Sequence, residues 1–220
     1  MQQTGIPAKG RRRRNRGSEQ VRTRLVEGAI AEFAANGFDG ASTRAIATRA
    51  DAHQPQINYH FESKDELWRV CLELLLSELD AALREHTEGM DRADDRAMLA
   101  AIVRALVMFA SRRPELNRIM MHEGTTPSER LTWLVDHHLN WRYRDLRERW
   151  ERLSAQGLTA PVPPDVLFHL LVGAASLLYA NAPEARLLGV DPDGPSIIDA
   201  HADALIAMLL PGRQRSGSRS

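Results

Sequence analysis

Residues 42–61 read Ser42-Thr43-Arg44-Ala45-Ile46-Ala47-Thr48-Arg49-Ala50-Asp51-Ala52-His53-Gln54-Pro55-Gln56-Ile57-Asn58-Tyr59-His60-Phe61. Ser42 and Thr43 both suit a helix N-cap, because a hydroxyl oxygen accepts from the free amides of the first turn. The helix they open runs through Ile46 and Ala47 to Ala50, and after the short break Asp51-Ala52-His53 a further helix spans Gln54 to Tyr59. Upstream, residues 18–36 bring Val21, Leu25, Val26, Ala29, Ile30 and Phe33 onto one helical face. Gly37 is the expected stop, since glycine enters the left-handed cap conformation at little cost. Short helices with a tight turn between the second and third have the layout of a helix-turn-helix. In that motif the third helix can lie in the major groove while the second crosses the backbone.

Downstream, Ser63-Lys64-Asp65-Glu66 has the form of a capping box and opens a long fourth helix striped by Leu67, Val70, Cys71, Leu74 and Leu75. Leu99, Ile102, Val103, Leu106 and Phe109 mark a fifth helix closed by Arg113-Pro114, and Leu116, Ile119 and Met120 a sixth ending at Gly124. Thr126-Pro127-Ser128-Glu129 reads as a second capping box with proline in the first turn. It predicts one long seventh helix, through Leu131, Leu134, Val135, Leu146 and Leu153 to Gly157. After Pro161, Pro163 and Pro164 come helix eight, about Pro164 to Ala180, and helix nine, about Ser196 to Leu210. No stretch alternates as a strand would, so the expected fold is all-α with about nine helices.

The formal net charge of zero hides an asymmetry. Residues 1–24 hold eight Lys or Arg, including Arg11 to Arg14, against Glu19, while the rest of the chain carries 21 bases and 28 acids. A basic arm on an acidic body fits a polyanionic partner at one end only. The lone Cys71 excludes an intramolecular disulfide and a paired-cysteine metal site. The basic start lacks the apolar core of a signal peptide, and Val166 to Ala180, the longest apolar stretch, is interrupted by His169, Gly173 and Ser176. The expectation is a cytoplasmic protein with no membrane partner.

The string Ser42 to Ala47, then Ala50 to Phe61, then Ser63 to Leu67 closely resembles the DNA-binding signature of the TetR family of transcriptional regulators over about residues 20–68. The resemblance implies an all-helical repressor, with an amino-terminal helix-turn-helix on operator DNA and a larger domain that dimerises and binds a small-molecule effector. The chain is expected to divide into a basic arm (1–17), disordered because it lacks any apolar period, a DNA-binding domain (18–66), a ligand-binding and dimerisation domain (67–211) and a disordered tail (212–220). Carried over, the resemblance implies that Thr43, Tyr59, His60 and Lys64 contact phosphates. Arg44, Gln54, Pro55, Gln56 and Asn58 would then face base edges or the groove. Those side chains suit the roles: hydroxyls and an ammonium donate to phosphate, glutamine pairs with adenine, and a proline ring meets a thymine methyl. Asp51 stands where the family usually has glycine, and Asp tolerates the left-handed region better than most residues. Asn58 stands where an aromatic is commoner. Competing readings have Tyr59 packing on the first helix, His60 bonding a backbone carbonyl, and Lys64 opposing its helix dipole in solvent.

From Val166 to Ala180, 12 of 15 residues are apolar, more than one buried stripe requires. With Ile197, Ile198, Leu205, Ile206 and Leu209 this predicts a four-helix interface between two copies, where TetR-like proteins also dimerise. The resemblance further implies a cavity among helices four to eight, for which Phe109, Met120, His122, Trp133, His137 and Trp141 are the candidate contacts, around a largely apolar ligand. The alternative class is a helical small-molecule or metal-binding protein, or an enzyme, without DNA binding. Its metal version would use His122, His137 and His138, yet adjacent histidines point about 100° apart on a helix. Gly-x-Ser-x-Gly, a phosphate-binding glycine loop and His-x-x-x-His are absent from the sequence, so no cofactor and no catalytic residue is assigned.

Overall fold

The computed structural model describes residues 8–211, and every regular element among them is helical. The chain divides into two compact units after Leu74. That point lies within α4 (Lys64–Thr87), further along than residue 66, the expected end of the DNA-binding domain.

The first unit holds α1 (Ala8–Gly40), α2 (Thr43–Arg49), α3 (Gln54–His60) and the start of α4 (Lys64–Thr87). Helix α1 begins at Ala8 rather than Ser18, so residues 8–17 are helical and not the expected disordered arm. Arg and Ala are good helix formers, and propagation from a packed segment needs no apolar face of its own. The first part of the arm, residues 1–7, and the tail from 212 lie outside the described residues. Leu25, Ala29, Ile30 and Phe33 of α1 are buried with Ile46, Ile57, Phe61, Leu67 and Trp68. Gly28 lets α1 approach α2 closely, for a Cβ there would sit 3.1 Å from the Ile46 carbonyl oxygen and 3.2 Å from the Ala50 nitrogen. Gly37, at φ 67°, makes the left-handed kink expected of it, but helical structure resumes to Gly40. The Ser63 hydroxyl accepts from the Glu66 amide at 3.0 Å, whereas the Glu66 carboxylate reaches back to the Glu62 amide instead of completing the box at Ser63.

The second unit contains the rest of α4, then α5 (Asp95–Arg112), α6 (Pro114–Glu123), α7 (Glu129–Leu134), α8 (Asn140–Ala155), α9 (Pro164–Ala180), α10 (Ala182–Leu187) and α11 (Pro195–Leu209). The expected single helix from residue 129 to 157 is interrupted by a π-helical turn, Val135–Leu139. Such a turn inserts a residue without leaving the helix, so caps and breakers give no sign of it. The cap of α7 is Ser128, whose hydroxyl accepts from the Leu131 amide at 2.9 Å, so Pro127 precedes the helix and is not in its first turn. Helix α10 is additional to the predicted set, and Asn181-Ala182-Pro183 was its start signal.

The core of this unit joins Leu99, Val103 and Val107 of α5 to Leu146, Trp150 and Leu153 of α8, Leu167, Leu171 and Tyr179 of α9, and Ala202 and Leu205 of α11. Asp95, at the start of α5, is buried and held by Arg149 at 3.0 Å and Arg152 at 2.6 Å from α8. The Arg152 hydrogen bond comes first among the causes that hold the Asp95 carboxyl below its ordinary pKa, outweighing the effect of burial. Among the described residues no helix is long and apolar enough to cross a membrane.

Candidate functional site

Helix α2 is capped by Ser42, whose hydroxyl accepts from the Ala45 amide at 3.1 Å. The turn that follows depends on Asp51, the only non-glycine residue with positive φ (48°) among those described. Its conformation lets the Ala52 amide fold back onto the Ala47 carbonyl at 3.0 Å, and Arg24 donates to the Asp51 carbonyl at 3.4 Å. Helix α3 then starts with Pro55 in its first turn and is anchored by buried Ile57 and Phe61.

With those anchors inward, Gln54 and Asn58, and beside them Pro55 and Tyr59, lie four residues apart on the exposed face. Tyr59 is 78% exposed. It meets the edge of His60 at 4.9 Å but is not packed into the core, which rules out the packing alternative. Gln54 Nε2 donates to Thr43 Oγ1 at 3.1 Å, linking the first turns of α2 and α3, and Arg44 is exposed on α2. His60 is half-buried, and burial followed by the nearby Arg22 charge lowers its pKa below the ordinary histidine value.

Two of the residues assigned from sequence have other partners. The Gln56 carboxamide oxygen accepts from the His53 amide at 2.8 Å and so caps α3. The Lys64 ammonium donates to the carbonyls of Phe38 at 2.8 Å and Ala41 at 3.0 Å, and lies 4.4 Å from the Phe38 ring centre. That explains a lysine in a first helical turn, because it satisfies carbonyls at the end of α1. A residue pair missed from sequence is Glu32 with Arg49. Buried Glu32 accepts from Arg49 Nε at 2.7 Å and from Asn36 at 3.0 Å, fixing α2 to α1. The available signal was an acid beside Ile30 and Phe33 on an apolar face, which requires a partner.

The second unit contains a partly open cavity of about 200 Å³ with walls from α4, α5, α6, α8 and α9. Phe109, Met120 and Trp141 line it, whereas His122, Trp133 and His137 do not. Trp133 and His137 stack on each other with ring centres 5.7 Å apart, and His137 Nδ1 lies 2.8 Å from the Trp133 carbonyl oxygen. The π-helical turn between Trp133 and Trp141 shifts the register that a continuous helix would have kept. The walls are aliphatic and aromatic, with Leu79, Ile102, Leu106 and Phe168 among them. No group of three or more His, Cys, Asp or Glu side chains able to hold a metal ion occurs among the described residues. On α9, Val166, Leu170 and Leu177 are exposed at helical spacing, as is Met208 on α11.

Residues 25–71 match the family described as bacterial regulatory proteins, tetR family. The chain is 33% identical over 96 residues to the HTH-type transcriptional dual regulator CecR of Shigella flexneri, covering 43% of this chain and 42% of that one. It is 27% identical over 173 residues to the probable acrEF/envCD operon repressor of Escherichia coli K12, covering 74% of this chain and 77% of the repressor. In structure it is similar to AibR solved with isovaleryl coenzyme A and operator DNA. That likeness has a TM-score of 0.61 at 22% identity, over 87% of this chain and 98% of AibR, and it speaks for the fold alone. The helix-turn-helix geometry of the first unit and the family match that falls on it agree: residues 25–71 form a DNA-binding motif of the kind described for the tetR family of bacterial regulatory proteins, and the all-helical fold of the whole is similar to that of AibR.

Proposed function

We propose that this DNA-binding regulator is a cytoplasmic repressor that holds a palindromic operator as a homodimer and leaves it when a small, largely apolar effector fills the second-unit cavity. The observation that carries this reading is the exposed face of α3. A helix anchored by Ile57 turns Gln54, Pro55, Asn58 and the 78% exposed Tyr59 outward. An aromatic left bare beside groups that pair with base edges has no folding role and suits a nucleic-acid surface.

In this reading Tyr59 and Thr43 donate to phosphates, and Arg44, Gln54, Pro55 and Asn58 read the major groove. His60 stands at the edge of the contact. Lys64 and Gln56 act chiefly by holding the motif in shape, since the Lys64 ammonium and the Gln56 carboxamide oxygen already have backbone partners. The exposed Val166, Leu170, Leu177 and Met208 supply an apolar face for a second copy, and a two-fold dimer presents two such heads to a palindrome.

The test is selection of bound duplexes from a random pool at fixed salt, combined with sedimentation at micromolar protein. A palindromic consensus bound by a dimer is expected. A monomer, or equal affinity for one half-site and the full palindrome, would refute the dimeric operator. Absence of any enriched sequence would favour a helical ligand-binding protein without DNA readout.

A further inference from the structure

The cavity wall is not purely apolar. Arg113, Arg142 and Asp145 reach it, and each is already matched by an opposite charge. Arg113 pairs with Glu78 at 2.8 Å, Arg142 with Asp80 at 2.6 Å, and Asp145 with Arg149 at 3.0 Å. Ser176 is also occupied, donating to the Val172 carbonyl at 2.6 Å. An ionised ligand entering this space would lose its hydration and meet no unneutralised counter-charge, a combination that heavily disfavours burial.

One polar atom stands apart. Arg142 gives one terminal nitrogen to Asp80 and the other to the His138 carbonyl, and its guanidinium lies 4.3 Å from the Trp141 ring centre. Its Nε is buried without a hydrogen-bond partner. The same burial keeps that atom from a molecule in the cavity, and aliphatic side chains make up most of the surroundings. Size adds a further limit. Cavities of about 150 Å³ lined by Leu, Ile and Phe take benzene. A space of about 200 Å³ therefore suits a ligand somewhat larger than that.

We infer that the cavity selects a neutral, mostly hydrocarbon molecule of about ten non-hydrogen atoms, of which a medium-chain ketone is an example. It discriminates against carboxylates and amines of the same length. This inference rests on the reading of the cavity as the effector site and narrows the chemistry of that site.

Three probes of matched length separate the possibilities: 2-nonanone, octanoate and nonylamine, each titrated calorimetrically into the full-length protein near neutral pH. The ketone is expected to bind at least about tenfold more tightly than either ion, a difference of about 1.4 kcal/mol. Leu106→Trp, which fills the cavity, should abolish ketone binding while the protein still melts cooperatively. Octanoate binding as tightly as the ketone, with Leu106→Trp abolishing both, would overturn the neutral-ligand inference and leave the cavity as the ligand site. No binding of any probe, or ketone binding indifferent to Leu106→Trp, would overturn the inference together with the reading beneath it. Ketone binding in the cavity that leaves operator affinity unchanged would uphold the inference and remove only the regulatory role.

Discussion

Asp51 offers a direct measure of how the turn before α3 is maintained. At φ 48° it occupies the left-handed region that costs an ordinary L-residue about 1–2 kcal/mol, with Asp and Asn near the lower end. Asp51→Gly removes that strain but returns roughly 0.5–1 kcal/mol of backbone entropy to the unfolded chain, so the net gain is between zero and about 0.5 kcal/mol. Asp51→Asn keeps the left-handed tolerance and removes only the charge, so it should lie within about 0.5 kcal/mol of the parent. Asp51→Val adds a β-branched side chain to the same conformation and should lose about 2 kcal/mol. The turn hydrogen bonds use backbone atoms, and the Arg24 contact is to the Asp51 carbonyl, so all three variants keep them. For a chain of this size each kcal/mol is about 2–4 °C in Tm, which places Val about 4–8 °C below the parent and Gly level with it or slightly above. Melting followed by circular dichroism resolves that order. A Val variant melting with the parent, or a Gly variant below Val, would refute the account of the turn.

Lys64→Met should destabilise the protein by about 1–3 kcal/mol through the orphaned Phe38 and Ala41 carbonyls, while the slope of log affinity against log salt stays as in the parent; a slope reduced by about one would return Lys64 to the phosphates. Gln56→Ala should lose about 1 kcal/mol of stability with the preferred operator unchanged, whereas Asn58→Ala should relax base choice at one or two positions of each half-site, as measured on a panel of single-base operator variants. Asp95→Asn should lose about 2 kcal/mol near neutral pH. The lowered folded pKa of Asp95 means that its contribution is complete above the ordinary carboxylate value of 3.8 and is lost as pH falls through the lowered value, so the variant's melting should vary less with acid over that window.

The helix-turn-helix was legible because its information is local. Ser42 and Ser63 act on amides three residues away, Asp51 acts on its own φ, and the apolar positions from Leu25 to Phe61 follow the helical period. Composition alone excluded an intramolecular disulfide, and strands had no pattern to support them. The exposed apolar residues of α9 likewise follow from an excess over one buried stripe.

What only the tertiary structure decided concerns side chains whose partners are distant in sequence. Lys64 reads as a surface donor until the carbonyls of Phe38 and Ala41, more than twenty residues earlier, are brought beneath it. Gln56 and Asn58 both read as groove-facing, and the fold separates them by turning one back as a cap. The cavity is the extreme case. Phe109, Met120 and Trp141 meet there from α5, α6 and α8, while the π-helical turn directs Trp133 and His137 elsewhere, and neither convergence leaves a periodic mark on the chain. Periodicity reports which face of a helix is buried, because each residue's direction follows from its neighbours along the backbone. What that face is buried against, and which charges close over it, depends on how separate helices pack, and that is a property of the folded whole.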